Sequence, residues 1–284
     1  MISRRGLIAS SLAWAAVPSL ARAMTAASRL SFTGSTQQGG LVIGHTEPGA
    51  RVMVDGADIN VSDTGIFAFG FSFDRSNPAK VTARYRDGTT DEQDIAPGIR
   101  QYESQPINGL PQEEVTPPPD ILARIHREGQ MIEAARTRNT AGTDFARGLD
   151  WPANGIISSV YGSQRVLNGT PAAPHLGVDI AAPEGTPIHA PADGVVSLAG
   201  DYYLDGGFTL IDHGQGVSTC YVHQSQRMVA QDDSVARGQL IGLMGQTGRA
   251  TGPNLHWGLN WFQLKLDPSL LTPTPAPPPA PNKA

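Results

Sequence analysis

The chain has 284 residues, of which 39% are hydrophobic, 6% aromatic and 17% charged, and its formal charge is −5. It lacks a run of 20 apolar residues that could form a transmembrane helix and the basic surplus of a nucleic-acid-binding protein. One cysteine, Cys220, excludes an intrachain disulfide and a cysteine-rich metal site, so any metal must be held by histidine and carboxylate.

In chain order, Met1-Ile2-Ser3-Arg4-Arg5, a mildly apolar stretch from Gly6 to Leu20 and Ala21-Arg22-Ala23 read as a secretory signal peptide spanning 1–23. Ser3-Arg4-Arg5 also fits a twin-arginine signal. Removing its three arginines from a charge of −5 leaves −8, so the exported chain is still less suited to nucleic acid. Residues 24–38 are polar and read as a flexible segment. From 39 to 97 short alternating stretches predict a small immunoglobulin-like β-sandwich. Phe67, Phe69, Phe71 and Phe73 mark a buried aromatic strand face, and Asp55-Gly56 and Asp87-Gly88 are hairpin-turn pairs.

Residues 98–150 read as a proline-rich linker and a helix. Thr116-Pro117-Pro118-Pro119 is a stiff break and Asp120 an N-cap. Ile121, Leu122, Ile125, Ile132 and Ala135 then share one helical face up to about Arg138, followed by a small polar loop from Asn139 to Asp150. Residues 151–271 are β-rich again, with candidate strands at Ile156–Val160, Gly194–Leu198, Phe208–Asp212, Val217–His223 and Leu240–Leu243. Thr272–Ala284, with six prolines in thirteen residues, is a tail. The abundance of glycine (32) and proline (23) thus belongs to a mainly β chain.

Five of the seven histidines lie in the C-terminal region, and three segments stand out: His175-Leu-Gly-Val-Asp179, Tyr221-Val-His223 and Asn254-Leu-His256-Trp257. A spacing of four puts His175 and Asp179 on one side of a strand or helix. A spacing of two puts Asn254 and His256 on one strand face, with Leu255 toward the core. Two histidine nitrogens and a carboxylate oxygen make a zinc site with an open position, which acidifies water and polarises a carbonyl. His223 is the candidate for moving a proton or stabilising an oxyanion. His189 and His213 read as structural, and Cys220 as a small buried residue.

These segments and their surroundings resemble the lysostaphin/LytM-type family of zinc peptidoglycan endopeptidases. The likeness covers about residues 151–271. It rests on His175-Leu-Gly-Val-Asp-Ile-Ala-Ala-Pro-Glu-Gly-Thr-Pro187, Ala190-Pro-Ala-Asp-Gly-Val-Val196, Leu210-Ile-Asp-His-Gly-Gln-Gly216 and the stretch from Gly238 to Pro253. The resemblance implies an antiparallel β-sheet groove with Zn2+ on its floor, ligated by His175, Asp179 and His256, and His223 as the catalytic histidine. It further implies cleavage of peptide bonds in peptidoglycan and, from the envelope members of the family, a periplasmic or cell-envelope location.

One position departs from the family pattern. Where His-x-His is expected the chain has Asn254, whose amide can donate to an oxyanion but cannot exchange a proton near pH 7. The alternative reading is therefore a non-catalytic regulator that binds cell wall or an amidase among envelope protein partners.

Overall fold

The computed structural model describes residues 28–109, 111 and 115–273. The expected signal peptide and the tail beyond 273 lie outside the described residues. Among them, seven strands come first: β1 (Ser31–Gly34), β2 (Leu41–His45), β3 (Arg51–Val54), β4 (Ala57–Ile59), β5 (Ile66–Gly70), β6 (Ala79–Arg84) and β7 (Thr90–Ile95). They form two antiparallel sheets, ordered β1-β2-β5 and β4-β3-β6-β7. Phe67, Phe69 and Phe71 from one side meet Val52, Val54, Val81 and Ala83 from the other in a single core. Asp55 (φ 52°) and Gly56 (φ 82°) both take the left-handed conformation that a tight hairpin between β3 and β4 requires. Within the segment expected to be flexible, residues 31–34 instead form β1, which pairs with β2 from Ser31 opposite His45 to Gly34 opposite Val42. Phe32 supplies the reason, packing edge-on against Phe67 and Phe69. The aromatic row also stops one residue early, because Phe73 turns away to meet Tyr102.

The linker is more structured than its composition suggests. Strand β8 (Ser104–Ile107) lies within it, and helix α1 spans Pro119–Ala135. Of the expected apolar face of α1 only Ile132 is buried, and Leu122 is 50% exposed, so the helix is held by few apolar contacts. Residues expected as a polar loop contain a 3-10 turn, Asp144–Arg147, whose Phe145 is fully buried. A lone aromatic among small polar residues has no periodicity to reveal it.

The C-terminal strands are β9 (Ile156–Ser159), β10 (Gln164–Leu167), β11 (Thr170–Pro171), β12 (Val178–Ala181), β13 (Pro187–His189), β14 (Gly194–Tyr202), β15 (Gly206–Gly214), β16 (Val217–Arg227), β17 (Ser234–Val235), β18 (Leu240–Met244), β19 (Asn254–Trp261) and β20 (Leu264–Leu266). Ten of them build one sheet with the path β17-β14-β15-β16-β19-β12-β9. Its core face carries Tyr221, Leu255, Trp257 and Leu259. The opposite face carries Phe208, Leu210, Cys220 and Val222, against which Ile132 of α1 packs. Cys220 is buried there, as expected of a small core residue. A separate small sheet joins β8 in parallel to β10, and β10 to β11.

The two halves share a core. Val42 faces the sandwich interior, whereas its neighbours Leu41 and Ile43 pack with Leu259 and Leu266 of the large sheet. This is why β2 reads as a continuous apolar run rather than an alternation. Gly70 leaves room for Leu266, where an added Cβ would approach both terminal methyls at 2.9 Å. Arg100 pairs with Asp267 at 2.8 Å across the junction.

Candidate metal centre

Strand pairing assembles the site. In the β12–β19 ladder Asp179 lies directly opposite His256, and in the β16–β19 ladder Val222 lies opposite His256. Residues directly opposite one another project to the same face, so His256 and Asp179 share the face covered in part by α1. His175 enters from the loop before β12. Its Nε2 lies 2.8 Å from His256 Nδ1 and 3.0 Å from Asp179 Oδ1, and His256 Nδ1 lies 2.8 Å from the same oxygen. Three side-chain atoms of the expected ligand set thus converge within 4.8 Å.

The surroundings fix which atoms face inward. His175 Nδ1 donates toward Ser159 Oγ at 2.8 Å and Val160 O at 3.2 Å, since a carbonyl can only accept. In this Nδ1–H tautomer the lone pair lies on Nε2. Asp179 turns its second oxygen to Arg165 Nη2 at 2.9 Å. Burial by itself would raise the Asp179 pKa, but the close approach of the two imidazoles, with His256 Nδ1 at 2.8 Å, outweighs it and holds the carboxyl well below the usual carboxylate range. Burial pushes His256 down to about 4. Two imidazole nitrogens and an ionised carboxylate crowded at one point are the donor set of a His2Asp metal site, and the residues present fit zinc on that ground.

His223 stands at an irregularity in β16. The β15–β16 register shifts between Gly207 and Thr209, and His223 takes φ 68° while its N–H donates to Asp205 O at 2.9 Å. A bulge of this kind re-aims a side chain out of the ladder. Nδ1–H then donates to Thr247 O at 2.7 Å, which leaves Nε2 as the acceptor. Burial lowers the pKa of this ring, so it is neutral at neutral pH. His175, His256 and His223 line one cavity of ≈490 Å³ together with Arg165, Arg249, Lys265 and Asp205. It adjoins a second of ≈500 Å³ under α1, which His256 also lines.

Asn254 opens β19 and shares its face with His256, lining a small cavity of ≈70 Å³ with Asp179, His223 and Arg165. Its Nδ2 donates to Gly252 O at 2.8 Å, so one of its two donors is already committed. His213 is fully buried between Asp193 O (2.7 Å) and Thr219 Oγ1 (2.8 Å), and His189 lies in β13 away from the cluster. Sequence reasoning did not single out Ser159, Arg165 or Thr247. They act on the site through hydrogen bonds and bear no fixed spacing to the ligands.

The family model described as Peptidase family M23 matches residues 173–268. Peptidoglycan DD-endopeptidase ShyA of Vibrio cholerae is 37% identical over 143 residues, covering 49% of this chain and 32% of that protein. DD-carboxypeptidase/endopeptidase Mpg of Neisseria meningitidis is 43% identical over 102 residues, covering 36% of this chain and 24% of the relative. The chain therefore spans about a third or less of the length of these curated relatives. A crystal structure of a Pseudomonas aeruginosa protein assigned to peptidase M23 matches far more fully, with 30% identity, a TM-score of 0.64, and coverage of 84% of this chain and 95% of that one. With a likeness running through nearly the whole of both molecules, and a converged His-Asp-His cluster inside the matched region, the chain belongs to peptidase family M23.

Proposed function

We propose that this protein is a zinc-dependent endopeptidase that cleaves peptide bonds in peptidoglycan outside the cytoplasm, for cell-wall remodelling. The observation that carries this reading is the convergence of His175 Nε2, Asp179 Oδ1 and His256 Nδ1, with both histidines lining a cavity that His223 also lines. Zinc held by those three atoms supplies a Lewis acid that polarises the scissile carbonyl and acidifies water. His223 Nε2, an acceptor because Nδ1 is committed to Thr247 O, takes up a proton as the carbonyl carbon is attacked and returns it to the departing amine. Beyond the Arg165–Asp179 pair, Arg249 and Lys265 add basic side chains to the cavity lining, which suits a substrate rich in carboxylates. The export-signal pattern of residues 1–23 and the peptidoglycan endopeptidase named among the relatives support the extracytoplasmic setting.

Asn254 favours a second reading, a regulator that binds cell wall or an amidase without turnover. It cannot exchange a proton, but neither is it needed for zinc. A zinc titration of wild type and His256→Ala, run beside a comparison of wild type and Asn254→His on purified peptidoglycan, separates the two. The enzyme reading expects stoichiometric zinc lost in His256→Ala and turnover by wild type. Zinc binding with turnover only in Asn254→His would instead establish the regulator.

A further inference from the structure

Two of the three candidate ligands are braced from a part of the chain that precedes the family match at 173–268. Strand β8 of the linker pairs in parallel with β10, with Gln105 opposite Arg165. From that register two connections run inward.

The first passes through Ser159. Its Oγ–H donates to Gln105 Oε1 at 2.6 Å, and the Gln105 amide is oriented by Nε2 donating to Ser158 O at 3.3 Å. An amide oxygen only accepts, so the serine hydroxyl proton is spent on Gln105. Ser159 Oγ can then only accept from His175 Nδ1–H. The relay His175 Nδ1–H to Ser159 to Gln105 therefore fixes the tautomer of His175 and presents the Nε2 lone pair to Asp179 and His256.

The second connection is Arg165 itself. Its Nη2 holds Asp179 Oδ2 at 2.9 Å, while Oδ1 alone faces the two imidazoles. Arg165 Nε is buried without a partner among the described residues, so the carboxylate is what compensates a largely desolvated guanidinium. A carboxylate with one oxygen so held has one oxygen to offer.

We propose that the linker strand β8 is a working part of the metal centre. Through Gln105 and Ser159 it sets the tautomer of His175, and through β10 it places Arg165, which restricts Asp179 to a single ligating oxygen. Gln105, Ser159 and Arg165 are positioning residues, acting through the ligands rather than on substrate. The proposal rests on the metal-binding reading above.

The test uses the full chain, stripped of metal, as wild type, Arg165→Gln, Arg165→Lys, Gln105→Ala, Ser159→Ala and the Gln105→Ala/Ser159→Ala double variant. Three quantities are measured: zinc affinity by competition with a chelator, the absorption spectrum of the cobalt-substituted protein, and the thermal midpoint of the metal-free form. Loss of an outer partner typically costs about 10–100-fold in metal affinity, and that loss is expected in Arg165→Gln, whose metal-free midpoint should fall with the unpaired Asp179 but remain that of a folded protein. Its cobalt bands should weaken as the freed carboxylate oxygen joins the coordination sphere. Arg165→Lys, which keeps a donor for Oδ2, should recover affinity. Gln105→Ala should also weaken zinc, and the double variant should be no weaker than Ser159→Ala, because the two residues act in one relay. That comparison carries the test if Arg165→Gln does not fold. Folded Arg165→Gln and Gln105→Ala proteins with wild-type affinity and spectra would overturn the proposal. A wild-type chain that binds no zinc would overturn the metal-binding reading instead.

Discussion

Gly177 shows how tightly the site is drawn around its ligands. A Cβ there would come within 2.4 Å of His256 Cε1 and 2.9 Å of the Trp257 carbonyl, so either the ring or the strand must give way. Gly177→Ala is therefore expected to weaken zinc by about tenfold or more, the scale on which misplaced ligands lose affinity, read by chelator competition. His223 gives a pH prediction. Burial places its pKa below the ordinary value of about 6.5, and a base must be unprotonated, so the acid limb of kcat/KM should fall below that value. His223→Ala should cost about 10²–10⁴ in kcat with zinc content unchanged, and an acid limb above the usual histidine range would contradict its role as base. His213 affects stability instead. Its neutral ring donates to Asp193 O and accepts from Thr219, and burial lowers its pKa. The unfolded chain therefore takes up that proton first. Stability is present above the ordinary histidine value and is lost as pH falls through it toward the folded pKa. Urea midpoints between about pH 7 and pH 5 should fall, and fall less in His213→Gln; an equal slope in the variant would rule His213 out. Asn254 and His256 could be picked out by residue type and spacing because a strand face imposes a period of two, whereas His175 enters from the loop before β12 and was legible only beside Asp179. Ser159 and Arg165 could not, since a hydrogen bond from a neighbouring strand leaves no periodic trace.

At the scale of elements, legibility followed burial. β15 is buried along its whole length and β16 through most of its own, and they contain the expected strands Phe208–Asp212 and Val217–His223. Strand β8 is four half-exposed or exposed residues, Ser-Gln-Pro-Ile, with no alternation strong enough to stand out from a linker. Helix α1 had a readable apolar face, yet most of that face is not buried, because the helix meets the sheet mainly through Ile132. Periodicity shows which face a helix would bury, not how much of it finds a partner. The junction between the halves was unreadable because Arg100 and Asp267 are far apart in sequence. Asp267 has a side chain only 2% exposed, so removing its partner leaves a buried charge. Arg100→Ala is expected to destabilise the chain by about 3 kcal/mol, the lower end for a broken buried pair since Arg100 retains some exposure. Urea unfolding of the two proteins measures it, and a difference near zero would mean that the pair is not a structural tie.

Over the whole molecule, a formally acidic chain concentrates Arg165, Arg249 and Lys265 around one cavity beside the ligand cluster, while the sandwich docks on the β19–β20 side and shares the main core. The single cysteine restricted any metal to histidine and carboxylate ligands, and a histidine–carboxylate cluster is what the fold assembles. The central claim is that this cluster, loaded with zinc, cuts peptide bonds in the cell wall. The most direct measurement is the release of new free amino groups from purified peptidoglycan by the wild-type chain, before chelation, after it, and after zinc is restored. The account predicts release that chelation abolishes and zinc restores. Release that persists in the chelated protein, or none from a protein shown to hold zinc, would contradict it.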